Sequence, residues 1–424
     1  MRIGIIGAGN VGTTLGAGWA KAGHDVVYGV REPSAPPPAP HARATFDSVR
    51  GAVLAAEVVV LTTPWAAVGD ALAAAGDFGG KVLVDVTNPI GPGFALTHGH
   101  TTSGAEHVAA RAKNARVVKA FNTTGVENMA NPGYGDARVV MPIAGDDAAA
   151  VELVGRLATD LGFEAVALSP LSHAREIEPL AMLWIKLALQ WGQGRSVAFG
   201  IARRAAGERP AALAKSAHPR AITIVGTGNI GGALARAWLS AGHTVRLAVR
   251  DATAKDVKEL VALGAAAVPV AGAADGADVV VFAVPAGAVV DIARTLGSLE
   301  GKVVVDCTNA IAKGFTLQYG HTTSSSEELA KALPGAKVVR AFNQQGAETL
   351  QNPLFGGRAA TNFVAADDAG ARAVVCELTK DMGLGAVEAG PLSSARYLEP
   401  ITLLWITMAK ALGTREFGLS LMRR

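Results

Sequence analysis

The 424-residue sequence predicts an α/β chain: two tandem domains, each a doubly wound parallel sheet closed by a C-terminal helix. Three observations carry that expectation. Short apolar runs alternate with helical stretches, the order that builds a parallel sheet covered on both faces. A glycine-rich turn, Gly7-Ala8-Gly9-Asn10-Val11-Gly12, follows the first run and opens the first helix. The chain also repeats itself, for more than half the positions of 81–122 recur identically at 302–343. The correspondence extends from GAGNVG at Gly7 to GTGNIG at Gly226, and to SPLSHAREIEP and GPLSSARYLEP late in each half. A period of roughly 200 residues is far too long for a solenoid unit, so a whole domain has been duplicated.

The elements follow in order. Arg2–Ile6 is an apolar run bounded by glycine and reads as a buried parallel strand. Asn10 to Lys21 reads as a helix ending at Gly23, and Asp25–Val30 as the second strand. Val58–Leu61, Val82–Val86 and Val117–Ala120 are further strands, with helical stretches between them. The last helix of each half is expected to begin near Pro179 and Pro400. Leu180, Leu183, Trp184 and Leu187 give it an apolar packing stripe. Each half ends in a pair of arginines, Arg203–Arg204 and Arg423–Arg424, just after that helix. The polar, proline-bearing stretch around 205–220 has neither helical nor strand period. It divides the chain into domains 1–205 and 220–424, joined by a linker at 206–219. The apolar last helices lead us to expect an intramolecular pseudo-dimer of the two halves.

Composition excludes several classes. Half the residues are apolar and 18% are charged, so the chain is not a disordered one. Thirty-nine basic against 36 acidic residues leave a net charge of +3, with 5% aromatics, and no footprint for nucleic acid. Apolar runs such as 279–290 fall short of the roughly 18 residues that a spanning helix needs, so no membrane is expected. The apolar N-terminus is broken by Gly4, Gly7, Gly9 and Gly12, unlike a signal peptide. Two cysteines, Cys307 and Cys376, make no disulfide framework and favour a cytoplasmic location.

The glycine turn is the strongest functional signal. In a strand–turn–helix context Gly7 permits the tight turn, Gly9 lets backbone approach a pyrophosphate, and Gly12 lets the helix pack against the sheet. The helix N-terminus at Asn10 and Val11 then offers N–H groups to the anion. Gly226, Thr227, Gly228, Asn229, Ile230 and Gly231 repeat the arrangement. Both halves are therefore expected to be Rossmann-type nucleotide sites. At the end of the second strand, where an acid would bind an NAD ribose, stand Val30-Arg31 and Val249-Arg250. A guanidinium suits a 2′-phosphate, so NADP(H) is expected. Glu32 and Asp251, one residue further, leave NAD open.

Other motifs fall where strands end. They are Thr63-Pro64-Trp65, Asn88-Pro89 and Phe121-Asn122, matched by Val284-Pro285, Asn309 and Phe342-Asn343. Such positions line the cofactor groove, and a buried Asn offers both donor and acceptor groups to a carboxamide. Ser103-x-x-Glu106 and Ser324-x-x-Glu327 read as capping boxes. His98-x-His100 has no metal-ligand cluster beside it and no G-x-S-x-G elbow occurs, so neither a metal site nor acyl transfer is expected.

Taken together, GxGNxG, TxPW, AFN and the late PLSxxRxxEP segment resemble the family of coenzyme F-420 (F420)-dependent NADP reductases. They are similar also to the nicotinamide-binding domain of membrane ferric reductases. The resemblance covers nearly all of each half. It implies hydride transfer between NADPH and a deazaflavin stacked on the nicotinamide. It further implies that Phe121, Asn122, Thr123, Ser172 and Arg175 border the acceptor, with Phe342, Asn343, Gln344, Ser393 and Arg396 doing so in the second half. Hydride transfer between stacked rings needs alignment and exclusion of water more than an acid–base pair, so no catalytic residue is assigned. The second half departs at Ala286, Ala310 and Gln344-Gln345, where the first has Trp65, Pro89 and Thr123-Thr124. A flavin or ferric-chelate reductase and an NADP(H) sensor without turnover stand as alternatives. A dehydrogenase of small imino or hydroxy substrates, with Lys186 as proton donor, ranks below them.

Overall fold

The computed structural model describes residues 1–204, 207–208 and 212–424. The chain forms two compact units, one of Met1–Gly200 with Met422–Arg424, the other of Ile201–Leu421. Of the expected linker, residues 206 and 209–211 lie outside the described residues. Its later part is bonded to the second unit: Lys215 Nζ donates to the Ser240 carbonyl (2.8 Å) and Ser216 Oγ to Asp381 (2.8 Å).

Each unit is built on an eight-stranded sheet. In the first the strands are β1 (Arg2–Ile6), β2 (Asp25–Val30), β3 (Ala44–Ser48), β4 (Val58–Leu61), β5 (Val82–Asp85), β6 (Arg116–Lys119), β7 (Val140–Gly145) and β8 (Glu164–Leu168). Their spatial order is β3-β2-β1-β4-β5-β6-β7-β8. The first six run parallel, β7 runs antiparallel to β6, and β8 runs parallel to β7. The strand order reverses beside β1, which opens a crevice at the C-terminal edge where a dinucleotide fits. The second unit repeats the order with β9 (Ala221–Val225), β10 (Thr244–Val249), β11 (Ala266–Pro269), β12 (Val279–Phe282), β13 (Val303–Asp306), β14 (Lys337–Arg340), β15 (Thr361–Ala366) and β16 (Gly385–Glu388).

The central strands are largely apolar because helices cover both faces; all four residues of β4 are apolar and buried. Burying each valine contributes about 1.5–3 kcal/mol. The helix Asn10–Lys21 buries Gly12, Leu15, Gly16 and Trp19. Gly16 is required there, since a Cβ would lie 2.1 Å from the Tyr28 hydroxyl oxygen. Trp19 Nε1 donates to the Leu157 carbonyl (3.0 Å), just as Trp238 donates to Leu378 (3.1 Å) in the second unit.

Two expectations are corrected. The last helices span Ala174–Leu189 and Ala395–Leu412, so Pro179 and Pro400 lie inside them rather than at their starts. The residues ahead of each proline are good helix formers, and the ring removes a single intrahelical bond. The halves also do not close on those helices, because strands Val197–Arg203 and Phe417–Arg423 follow them. Gly200 and Gly418 interrupt these apolar runs and blur their period. The stripe Leu180, Leu183, Trp184 and Leu187 is buried, and Trp184 Nε1 donates to the Val197 carbonyl (2.7 Å). Among the described residues, no helix is long and apolar enough to cross a membrane.

Candidate dinucleotide-binding site

The glycine loop between β1 and the helix Asn10–Lys21 has the geometry its sequence implies. Gly7 takes φ +108°, which a side chain rarely adopts. A Cβ on Gly12 would lie 2.2 Å from the Gly7 carbonyl oxygen, so only glycine lets the helix close on the turn. A Cβ on Gly9 would meet nothing within 4 Å, and the backbone there faces open space. The helix has no side-chain cap and no acid in its first turn, leaving its N–H groups and partial positive charge available to a pyrophosphate. In the second unit Gly226 has φ +100°, a Cβ on Gly231 would lie 1.9 Å from the Gly226 carbonyl, and Gly228 is again open. Thr62 Oγ1 lies 3.1 and 3.0 Å from the Ile6 and Gly7 carbonyls and ties the loop to β4, a link that Ala283 cannot make.

At the adenosine end, β2 and β10 stop at Val30 and Val249, and Arg31 and Arg250 follow as exposed side chains. Asp251, the residue that left NAD open in the second half, is bonded within its own turn. It accepts from Thr253 N (2.8 Å) and Thr253 Oγ1 (2.6 Å), bonds that hold its carboxyl below the usual range. A groove of about 900 Å³ runs past Gly226, Thr227, Arg250, Val284 and Pro285. Asp256 in its wall accepts from Thr227 Oγ1.

At the other end, residues just beyond β4, β5 and β6 form a crest. Asn88 Nδ2 donates to the Asn122 carbonyl (3.1 Å), and Asn122 Nδ2 donates to Asn88 Oδ1 (3.1 Å). The backbone carbonyl fixes both amide orientations, since a flip would set oxygen against oxygen. Asn122 Oδ1 is left buried without a hydrogen-bond partner, as is Thr63 Oγ1. Buried polar atoms are seldom left unpaired, and these two follow the C-terminal ends of β4 and β6, the edge of the sheet at which a crevice opens. Trp65 begins a short turn after Pro64 and is held by His98 (5.2 Å) and His107 (5.3 Å). Burial, Arg111 and His98 keep His107 below the usual imidazole range.

Beneath the crest lies an ionic cluster that sequence reasoning missed. Lys119 Nζ is 3.0 Å from Asp85 Oδ2 and 3.1 Å from Glu178 Oε1, and all three side chains are at most 1% exposed. Asp85 accepts from Thr87 N and Oγ1 (2.9 and 2.7 Å), and Glu178 from Gly104 N and Ala105 N (2.8 and 3.0 Å). Burial opposes the ammonium charge, yet Asp85 and Glu178 outweigh it and hold Lys119 above its usual range. Burial raises Glu178 despite Lys119. Arg340 repeats the role, 2.9 Å from Asp306 and 3.9 Å from Glu399. The signal in the sequence is a basic residue, Lys119 or Arg340, that closes the strand after a buried Val-Val pair in both halves.

Several acceptor-side expectations are corrected. Phe121 and Phe342 are fully buried at φ +62° and +61°, their rings packed edge-on against Trp19 and Trp238 (5.6 and 5.7 Å). Both rings are taken up in the core of their own unit. Arg175 and Arg396 grip Glu106 and Glu327 with two hydrogen bonds each, at 2.9 and 2.6 Å in both units. Those glutamates belong to the capping boxes, with Glu106 N bonded to Ser103 Oγ and Glu327 N to Ser324 Oγ (both 3.2 Å). The guanidinium forks are therefore spent on helix starts. Gln344 is fully buried and bonded to its own chain, whereas Ser172 is partly exposed and Ser393 exposed on their turns. Thr123 is buried, with Oγ1 4.0 Å from Met141 Sδ.

Against known proteins, the family model described as NADP oxidoreductase, coenzyme F420-dependent, matches residues 2–89 and 221–310. The F420-dependent NADP reductase of Methanothermobacter thermautotrophicus is 33% identical over 207 residues, covering 44% of this chain and 87% of that protein. Metalloreductase STEAP3 of Rattus norvegicus is 28% identical over 201 residues, 47% of this chain but only 40% of that protein's length. A solved Arthrobacter sp. FB24 protein, described as a candidate F420-dependent NADP reductase, is 31% identical with a TM-score of 0.43, covering 46% of this chain and 96% of its own. With its glycine-loop module present twice, the chain belongs to the family of F420-dependent NADP oxidoreductases.

Proposed function

We propose that the protein transfers a hydride between NADPH and a deazaflavin, coenzyme F420, or a flavin-type ring. The observation that carries this reading is the first unit's crevice. Its glycine loop, the exposed Arg31 and the orphaned Thr63 and Asn122 atoms lie beyond the C-terminal ends of neighbouring strands. These groups fit a dinucleotide, which when bound supplies the hydride from its nicotinamide ring. Gly7, Gly9 and Gly12 bring backbone N–H groups of Asn10 and Val11 to the pyrophosphate, and Arg31 takes the 2′-phosphate. Asn122 Oδ1 accepts from the carboxamide N–H₂, and Asn88 and Pro89 brace it. Pro64 and Trp65 wall the ring from water, with the partly exposed Ser172 on the acceptor side. No side chain is asked to move a proton; Lys186 donates to Gln190 Oε1 (3.2 Å) on its own helix.

The reading places the protein in the cytoplasm, supported by two buried cysteine thiols that form no disulfide. It is tested by incubating the pure protein with NADPH and, separately, F420, FMN, riboflavin and a ferric chelate. Acceptor-dependent loss of the NADPH absorbance with F420 or a flavin is expected. Oxidation with the chelate alone would favour a metalloreductase, and none with any acceptor would leave an NADP(H)-binding sensor.

A further inference from the structure

The duplicated units share their nucleotide-loop geometry but differ at the crest, and the difference has a direction. In the first unit Asn122, 3% exposed, keeps a buried Oδ1 with no partner, and Thr63 Oγ1 is likewise orphaned. In the second unit each matching atom is either used up or missing. Asn343 Nδ2 donates to the Leu398 carbonyl and to Thr402 Oγ1, both at 3.0 Å, while Asn343 Oδ1 accepts from Gln344 Nε2. Thr402 Oγ1 also lies 2.9 Å from Asn309 Oδ1 and 2.7 Å from the Asn343 carbonyl. Gln344 Oε1 in turn accepts from Phe363 N (3.1 Å). Val284 stands where Thr63 does and has no hydroxyl, and Ala181 occupies the place of Thr402 in the first unit. Hence Gln344 and Thr402 stand in for a ligand at the second crest. The adenosine end of the second unit is nevertheless open, in the groove that contains Gly226 and Arg250.

We propose that the second unit holds NADP(H) by its phosphates and adenosine without gripping the nicotinamide, so the first unit alone is built for hydride transfer. A satisfied amide gains nothing from a carboxamide that must first break its internal bonds, whereas an orphaned one gains a full hydrogen bond. The inference rests on the NADP(H) reading above but not on the identity of the acceptor.

Calorimetry on the full chain separates the two. NADPH and its nicotinamide-free analogue, 2′-phospho-ADP-ribose, are titrated in turn. Two sites per chain are expected for each ligand. Loss of the nicotinamide weakens one site by about tenfold and changes the other less than about twofold. Asn122→Ala should abolish the difference while keeping two sites, the retained count showing that the variant is folded. One NADPH site per chain, equal weakening of both sites, or an Asn122→Ala variant still discriminating between the ligands would overturn the proposal. In a second arm, protein loaded with two equivalents of NADPH is mixed rapidly with acceptor. Half of the NADPH should react quickly, and the rest at a rate independent of acceptor concentration, set by its release from the second unit. Rapid reaction of all of it would also overturn the proposal. A complete lack of oxidation would instead count against the oxidoreductase reading and leave the binding asymmetry standing.

Discussion

The glycines and the ionic cluster make opposite demands on single residues. Gly9 has open space where a Cβ would sit, and Gly12 has the Gly7 carbonyl at 2.2 Å. Gly9→Ala should therefore melt within a degree or two of the parent yet bind NADPH about tenfold more weakly. Gly12→Ala should lose both stability and binding; melting curves and calorimetry separate the two. Lys119→Met leaves Asp85 and Glu178 buried without their cation and should cost about 3–5 kcal/mol in urea unfolding, whereas Lys119→Arg, the arrangement seen at Arg340, should be mild. The pH dependence has a definite sign. The folded state already raises Glu178, and without Lys119 it favours the neutral carboxyl further, so stability falls as pH rises through that raised value. The Lys119→Met deficit should then be larger at pH 8 than at pH 5. These residues were unequally legible. The glycine spacing is local and each glycine's task follows from the turn, so the sequence suffices. Asp85 and Lys119 are register partners on β5 and β6, and Glu178 arrives from a helix far along the chain, so only the folded sheet brings them together.

Strands β1, β2 and β4 and the helix Asn10–Lys21 begin and end where the sequence predicts, because Gly7, Gly9 and Gly23 separate the first three elements and the polar Glu57 and Thr62 bound β4. Pro179 marks the start of the last helix in the sequence because a proline usually opens a helix, whereas here it sits within one. Arg175 is equally hard to place from the sequence. Its role depends on Glu106, which the fold brings to it from another helix. Burial alone would raise Glu106, but the Arg175 and Ser103 hydrogen bonds outweigh it and hold the carboxyl below its usual range. A depressed folded value contributes stability above the unfolded pKa and loses it as pH falls through the folded one. Arg175→Ala should accordingly destabilise the first unit by about 1 kcal/mol near pH 7, with the difference shrinking toward pH 3. Thermal unfolding across pH reads this directly.

At the scale of the molecule the duplication was plain from the repeat, but the grouping of the chain's last residues was not. Met422 is 6% exposed within the core of the first unit, and the Arg424 guanidinium lies 4.4 Å from the Tyr134 ring centroid. Deleting Met422–Arg424 should lower the first unit's stability by about 2–4 kcal/mol, measured as an earlier unfolding transition in calorimetry. The domain limits 1–205 and 220–424, and a pseudo-dimer in which duplication replaces association of two single-unit chains, stand as proposals. Sedimentation should find the full chain monomeric. The central claim is direct hydride transfer without a side-chain proton shuttle. It is tested most directly by supplying NADPH deuterated at the transferable C4 position with F420, whose reduced ring carbon retains the label. Deuterium in the reduced deazaflavin and a slowed transfer step are expected. Reduced deazaflavin carrying solvent hydrogen at that carbon, or no reduction at all, would contradict it.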